Sequence, residues 1–405
     1  MKKIVVIGIG YVGLPAALML AKSGYSVVGY DVDEELINRI NNKDFFFDNE
    51  LESLLFDETI KRNFTASNKL EEADVFLIAV PTPLHPNRKS ADLSHVIKAI
   101  ESILSVLRKG NLIIIESTIP PLTCREIILP IIKETGFVVG DDIFLAHCPE
   151  RLLPGDICRE IIENDRIIGG FNPESAYLAK EIYASFVKGK LIITDDKTAE
   201  ICKLMENTYR DVNIALANEF SEICEIIDVN VFDAIKYANY HPRVNILTPG
   251  IGVGGHCIPI DPWFIIEVDP FSSTLIQAAR RINDQRPEKI AAKIRKLVKD
   301  INSPKILICG KAFKAETHDI RESPAMKIYN ALLNDGYNTE IFDCLTDQYN
   351  TEDLYERILK ADCVALLVEH QNMVGLIKDI LCKLKSSNKR IPLLFNYSET
   401  KLYPS

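Results

Sequence analysis

Lys3-Ile4-Val5-Val6-Ile7-Gly8-Ile9-Gly10-Tyr11-Val12-Gly13 decides the reading of this chain. A short apolar run ending in glycine has the pattern of a buried parallel strand. A helical stretch follows to about Ser23, then Gly24 and a second strand at 27–30. Gly8, Gly10 and Gly13 therefore form G-x-G-x-x-G between a strand and a helix. The first glycine makes the tight turn, the second lets the backbone approach a pyrophosphate, and the third lets helix and strand pack closely. The helix N-terminus offers unpaired N–H groups to the phosphates. Asp31 closes the second strand, where a carboxylate accepts hydrogen bonds from the adenosine ribose and repels a 2′-phosphate. Asp33 adds to that repulsion, and no arginine follows at once, so the expected cofactor is NAD rather than NADP. The alternative is a glycine turn in a fold that binds no dinucleotide; the agreement of strand, turn, helix and acid speaks against it.

Working outward, strand-like runs recur at 75–80, 112–115, 143–146 and 191–193, with helical patterns at 93–107, 124–135 and 174–186. Strands alternating with helices imply a doubly wound parallel sheet. From Asp196 to about Val229 there is neither proline nor glycine, and Ile201, Leu204, Met205, Thr208 and Val212 fall at helical spacing, which predicts one long helix. Residues 240–262 are too rich in glycine and proline for a regular element. Helix resumes over 274–284, and Pro287 stands where a new helix would start. Strands at 305–309, 338–342 and 363–368, with a helix at 325–335, form a last α/β unit. The expected fold is α/β: two Rossmann-like doubly wound domains joined by a central all-helical region. The expected boundaries are 1–195, 196–300 and 301–405.

The 405 residues carry 47 Lys+Arg against 57 Asp+Glu, a net charge of −10 that argues against nucleic-acid or membrane-surface binding. No apolar run approaches the ~18 residues of a membrane span. The glycines of the first motif interrupt what would otherwise pass for a signal peptide. The 10 cysteines include no C-x-x-C pair, which reads as reduced thiols in a cytoplasmic protein rather than a disulfide or zinc scaffold.

Cys257 differs from the other cysteines. Cys202, Cys224, Cys309 and Cys363 lie in apolar or helical patterns, as packing residues do. Cys257 lies in Gly252-Val253-Gly254-Gly255-His256-Cys257-Ile258-Pro259-Ile260-Asp261, where glycines let a ligand approach. A nucleophilic thiol with NAD suggests aldehyde oxidation through a thioester; by residue type alone a structural cysteine is the commoner reading. His256 beside it lacks the further clustered ligands of a metal site, so no metal is expected. Lys203, Asn207 and Arg210 share one face of the long helix. Either that face is solvated, or a lysine and an amide point into an active site to stabilise an oxyanion or hold a water.

These residues resemble the UDP-glucose/GDP-mannose dehydrogenase family. The resemblance is carried by residues 8–15 (GIGYVGLP), 80–83 (VPTP), 116–120 (ESTIP), 147–151 (HCPER), 203–207 (KLMEN), 254–257 (GGHC), 310–314 (GKAFK) and 319–323 (DIRES), in that order. It implies oxidation of the 6-hydroxymethyl of a nucleotide sugar to a carboxylate with two NAD and no metal. By the resemblance Cys257 is the nucleophile that forms a thiohemiacetal and then a thioester. Lys203 and Asn207 steady the oxyanion, Asp261 positions or deprotonates, and Thr118 and Glu150 hold water. Cofactor contacts fall on Gly8, Gly10, Tyr11, Val12, Gly13, Asp31, Thr82, Thr118 and Arg321. Substrate contacts fall on Arg151, Leu152, Lys203, Asn207, Arg210, His241, Arg243, Gly254, Phe313, Lys314 and Arg321. The last α/β unit lacks a G-x-G-x-x-G and would bind the UDP half.

Where UDP-glucose and GDP-mannose enzymes usually read GGSC-x-P-K-D, this chain has His256 and Ile260. With Pro262-Trp263 and residues 149–155 (PERLLPG), this resembles the branch acting on 2-acetamido sugars. The expected substrate is UDP-N-acetyl-D-mannosamine, with its C2 epimer UDP-N-acetyl-D-glucosamine as the alternative. The resemblance also implies a homodimer or larger homo-oligomer. Ile214, Leu216, Phe220, Ile223 and Ile226 make the long helix apolar on more than one face. A second subunit would cover it, and Arg243 would reach the partner's substrate. A single-step NAD-dependent hydroxyacid dehydrogenase and an inactive nucleotide-sugar sensor are the competing readings. The first needs no equivalent of Cys257, and the second would require loss of Cys257 or Lys203.

Overall fold

The apolar runs of the first half become strands of one eight-stranded sheet in the computed structural model, which describes residues 2–43, 49–151, 157–347, 351–387 and 389–398. In chain order the strands are β1 (Lys3–Ile7), β2 (Ser26–Tyr30), β3 (Phe64–Ser67), β4 (Val75–Ile78), β5 (Leu112–Ile115), β6 (Phe144–His147), β7 (Arg166–Gly170) and β8 (Leu191–Asp195). Their spatial order is β3-β2-β1-β4-β5-β6-β7-β8. The strand order reverses direction between β1 and β4, and a crevice at such a switch point is where ligands bind in open α/β sheets.

Alternation along each strand builds two cores. Ile4, Val6, Leu77 and Ile114 face the helices Gly13–Lys22 and Pro173–Tyr183. Val5, Ile7, Phe76, Ile78 and Ile113 face Val96, Ile100 and Ile103 of the helix Ser94–Ile103.

The sheet is not wholly parallel. β7 pairs antiparallel with β6, His147 opposite Gly169, and β8 runs parallel to β7. β3 and β7 were not evident as strands. Phe64–Ser67 is short and polar, and Arg166–Gly170 opens on a charge and closes on two glycines.

The chain divides into two compact units: residues 1–206 with 263–270, and residues 207–262 with 271–405. The second unit contains a four-stranded parallel sheet ordered β10-β9-β11-β12, from β9 (Lys305–Cys309), β10 (Asn338–Phe342), β11 (Cys363–Leu366) and β12 (Leu393–Asn396). Ile306, Ile308 and Ala365 pack on one side against Ile290 and Ile294 and the helix Pro324–Asn334. Leu307, Val364 and Leu366 pack on the other against Leu354, Ile358 and the helix Gln371–Ser386.

The long helix is present as Asp196–Ile226. The helix expected to start at Pro287 does not. One helix, Thr274–Val298, runs through it. An internal proline costs a helix about 3 kcal/mol; burial of Ile290, Ala291, Ile294 and Val298 beyond it offsets that cost. The Pro287 ring also faces Gly252, where an added Cβ would lie 3.2 Å from its Cγ.

Candidate functional site

In the first unit the glycine motif has the geometry that a dinucleotide requires. Gly8 has φ +86°, and an added Cβ would lie 2.7 Å from the Ala79 carbonyl oxygen. A Cβ on Gly13 would lie 1.9 Å from the Gly8 carbonyl, so helix and turn can meet only with glycine there. A Cβ on Gly10 would meet nothing within 4 Å, so the backbone beside it is open to a phosphate. Tyr11 and Val12 lead into the helix, and Val12 at its cap supplies no side-chain hydrogen bond to the first N–H groups. Asp31 accepts from Ile9 N at 3.0 Å and Asp33 N at 3.1 Å, which ties the turn to the end of β2. Asp33 caps the next helix by accepting from Glu35 N and Leu36 N, so it has a local role besides its charge. At the tips of β4 and β5 the Thr82 hydroxyl donates to the Thr118 carbonyl at 2.6 Å. These residues fit an NAD adenosine and pyrophosphate.

The same edge of the sheet holds a buried ionic cluster. Because β7 runs antiparallel, its first residue, Arg166, lies at the carboxyl-terminal tips of β5 and β6. Arg166 donates to Glu116 and, at 2.6 Å, to Glu150, and stacks 4.4 Å from the Tyr183 ring. Glu150 also accepts from Arg151 N at 2.5 Å, and Tyr183 donates to Glu116 at 3.2 Å. Burial pushes the Glu116 carboxyl up to about 7, with Arg166 opposing and Glu150 adding to the rise. His147, fully buried at the end of β6, is pushed down to about 3, mainly by burial and further by the charge of Lys203. The Arg151 guanidinium pairs with Glu206 and donates to the Asp165 carbonyl. Leu152 lies outside the described residues.

Lys203 is 8% exposed and Asn207 0%, so the polar stripe of the long helix is not a solvated face. Within the second unit Asn207 accepts from Arg210 and donates to Asp261 at 2.5 Å. Asp261 is buried and opens the helix Asp261–Ile266, and its N–H bonds the Cys257 carbonyl at 2.9 Å. Cys257 is half-buried, but so are Cys202 and Cys224, which were expected to pack as Cys309 and Cys363 do, so it is the glycine loop and not burial that sets Cys257 apart. Burial pushes the thiols of Cys309 and Cys363 up to about 12 and raises those of Cys124 and Cys148 as well.

The glycines before Cys257 sit on the 310–323 loop. A Cβ on Gly254 would lie 2.7 Å from both Phe313 Cβ and Pro324 Cδ, and Gly255 N donates to the Arg321 carbonyl at 3.1 Å. Lys314 Nζ lies 5.8 Å from the Phe313 ring centre, and the Arg321 side chain forks onto Asp319. His256 Nδ1 lies 3.9 Å from Asp319. His241 and Arg243 are exposed, with Arg243 N donating to His241 Nδ1 at 3.3 Å. Among the described residues no helix is long and apolar enough to cross a membrane, and no three His, Cys, Asp or Glu side chains group as a metal site.

Three family models of the UDP-glucose/GDP-mannose dehydrogenase family match in order: the NAD binding domain at residues 2–187, the central domain at 197–285 and the UDP binding domain at 307–391. The chain belongs to this family. As a UDP-glucose/GDP-mannose dehydrogenase family member it is 47% identical over 400 residues to a UDP-N-acetyl-D-mannosamine dehydrogenase of Methanococcus vannielii, covering 96% of this chain and 92% of that one. It is 40% identical over 398 residues to an NDP-N-acetyl-D-galactosaminuronic acid dehydrogenase of Ralstonia nicotianae, covering 94% and 93%. A UDP-D-ManNAc dehydrogenase structure from Pyrococcus horikoshii superposes with a TM-score of 0.89 at 38% identity, covering 97% of this chain and 94% of that chain.

Arg166, Glu116 and His147 were not singled out as site residues from the sequence. Glu116 and His147 occur inside quoted motifs, and an arginine opening an otherwise apolar strand was the available signal for Arg166.

Proposed function

We propose that this dehydrogenase uses NAD to oxidise the 6-hydroxymethyl of UDP-N-acetyl-D-mannosamine to the uronate. The observation that carries the reading is the half-buried Cys257 thiol in its glycine loop, followed by the buried Asn207–Asp261 pair. Bound NAD accepts a hydride in each of the two oxidations. After the first, the Cys257 thiolate adds to the C6 aldehyde carbon and forms a C–S bond, and the carbonyl oxygen becomes an oxyanion. Asn207 spends one amide hydrogen on Asp261 and has a second to offer that oxygen; Lys203, one helical turn earlier, is the proposed cationic donor. Asp261 holds the amide in orientation. Loss of hydride from the hemithioacetal carbon leaves a thioester, and water, for which Thr118 and Glu150 are the proposed holders, breaks the C–S bond to release the acid and regenerate the thiol.

The 2-acetamido sugar is favoured by His256 and Ile260 in the thiol loop and by the names of the most similar relatives. Assaying NADH formation with UDP-N-acetyl-mannosamine, UDP-N-acetyl-glucosamine, UDP-N-acetyl-galactosamine and UDP-glucose tests it. The expected result is two NADH per uronate and the highest kcat/KM with the mannosamine. One NADH per substrate would refute the thioester route, and equal or better use of UDP-glucose would refute the sugar assignment.

The proposal includes a homodimer. Within the second unit, Tyr209, Leu216, Ile223 and Ile226 recur at helical spacing and are 61%, 39%, 50% and 83% exposed. A second copy of the same helix is the proposed cover. A monomer at nanomolar concentration with full activity would contradict it.

A further inference from the structure

The second unit contains a buried imidazole–carboxylate pair that the proposed chemistry does not use. Asp343, just past β10, and His370, just before the helix Gln371–Ser386, are 0% and 1% exposed. One Asp343 oxygen accepts from Lys311 N at 2.7 Å, Ala312 N at 3.2 Å and His370 Nε2 at 3.1 Å. The other accepts from Leu345 N and Thr346 N. On the far side of the ring, His370 Nδ1 accepts from Glu316 N at 3.0 Å. An Nδ1 that accepts a backbone N–H leaves the ring hydrogen on Nε2, aimed at Asp343.

Both bonds therefore grip one loop, at Lys311–Ala312 and at Glu316. Glu316 is held at φ +57°, a left-handed conformation that is unfavourable for a non-glycine residue and persists only where surroundings enforce it. Its carboxylate in turn accepts from Gln371 N at 2.7 Å. Between these two anchors stands Phe313, whose Cβ and ring lie against Gly254 and Gly255 immediately before Cys257.

We propose that Asp343 and His370 are positioning residues: they set the 310–323 loop for the UDP-sugar and, through Phe313, set the glycine turn that presents Cys257. This rests on the reading that the 310–323 loop receives the sugar nucleotide.

Two conservative variants divide the ring's functions. His370→Gln keeps a donor for Asp343 and loses the acceptor for Glu316; His370→Asn keeps the acceptor and loses the donor. Each, with Asp343→Asn and His370→Ala, is assayed for kcat, for KM of UDP-sugar and of NAD separately, and for the rate of Cys257 alkylation by iodoacetamide without ligand. Loss of one buried hydrogen bond with its partner left unpaired should raise the UDP-sugar KM about tenfold. The NAD KM should stay within about twofold and the alkylation rate should change. His370→Ala should be worse than either conservative variant, since those restore one bond each. A parallel rise in both KM values, or a folded set of variants with unchanged UDP-sugar KM, overturns the inference. Phe313→Ala and Lys314→Ala separate it from the reading beneath. If they leave the UDP-sugar KM unchanged, the loop does not receive the sugar nucleotide and both fail. If they raise it while the His370 and Asp343 variants do not, the positioning role alone fails.

Discussion

Two buried groups at the same sheet edge should give the protein opposite pH dependences that conceal each other. His147 is held neutral, down to about 3 against an ordinary value of 6.5. Between those values the unfolded chain binds a proton that the folded chain does not, so stability falls as pH drops, by about 1.4 kcal/mol per unit. Glu116 is raised to about 7 from an ordinary 4.5. Between those values the folded chain binds the extra proton, so stability rises as pH drops, at the same rate of about 1.4 kcal/mol per unit. From pH 6.5 to 4.5 the two slopes cancel in the wild type. Removing either exposes the other. Relative to wild type, His147→Gln should gain about 2 kcal/mol between pH 7 and pH 5, because the loss that His147 causes over the 1.5 units below 6.5 is removed. Relative to wild type, Glu116→Gln should lose about 3 kcal/mol over the same range, because the gain that Glu116 brings over those two units is removed. Each figure is read as the variant's change with pH minus the wild type's, which removes every other titrating group. Trp263, the chain's one tryptophan, belongs to the same compact unit as both groups, so urea unfolding followed by its fluorescence reports on the right structure. A difference between His147→Gln and wild type that stays constant from pH 5 to pH 7 would show that His147 is not buried neutral, and the argument would fail.

Cys257→Ser should lose uronate formation by several orders of magnitude while UDP-sugar binding by calorimetry stays near wild type, since a hydroxyl is a far poorer nucleophile than a thiolate; near-normal acid production by Cys257→Ala would sink the thioester. Asp31→Ser combined with Val32→Arg should narrow the preference for NAD over NADP, and a wild type that uses both equally would refute the role given to Asp31. Gly254→Ala should raise the UDP-sugar KM about tenfold or more, because its Cβ would lie 2.7 Å from Phe313 and Pro324. Gly250→Ala is the control, since a Cβ there meets nothing within 4 Å; equal behaviour of the two would refute the close fit of loop on loop.

What the sequence made legible follows from how local each signal is. The G-x-G-x-x-G turn, the helix after it and Asp31 are near neighbours in sequence, and Gly13 answers to the Gly8 carbonyl within the same turn, so pattern and structure agree. The long helix was legible for the same reason: 31 residues without a breaker need no distant partner to be read. Pro287 shows the opposite case. Its local rule predicted a helix start, and packing of Ile290 and Ile294 into a sheet later in the chain overrode it. The ionic cluster was illegible for a topological reason. β7 was not read as a strand, and in the wholly parallel sheet that was expected Arg166 at its first residue would stand at the amino-terminal edge, away from Glu116 and Glu150. Antiparallel pairing of only two residues with β6 reverses that and turns an arginine in an apolar run into the counter-ion of two carboxylates. Asp343 and His370 follow the same logic. Each ends or follows an ordinary strand, and nothing in either segment names the other. They meet because β10 and β11 both pair with β9, which sets their carboxyl-terminal ends on either side of Gly310. A residue that binds substrate has a motif around it; a residue that holds such a residue in place has only its neighbours across the sheet.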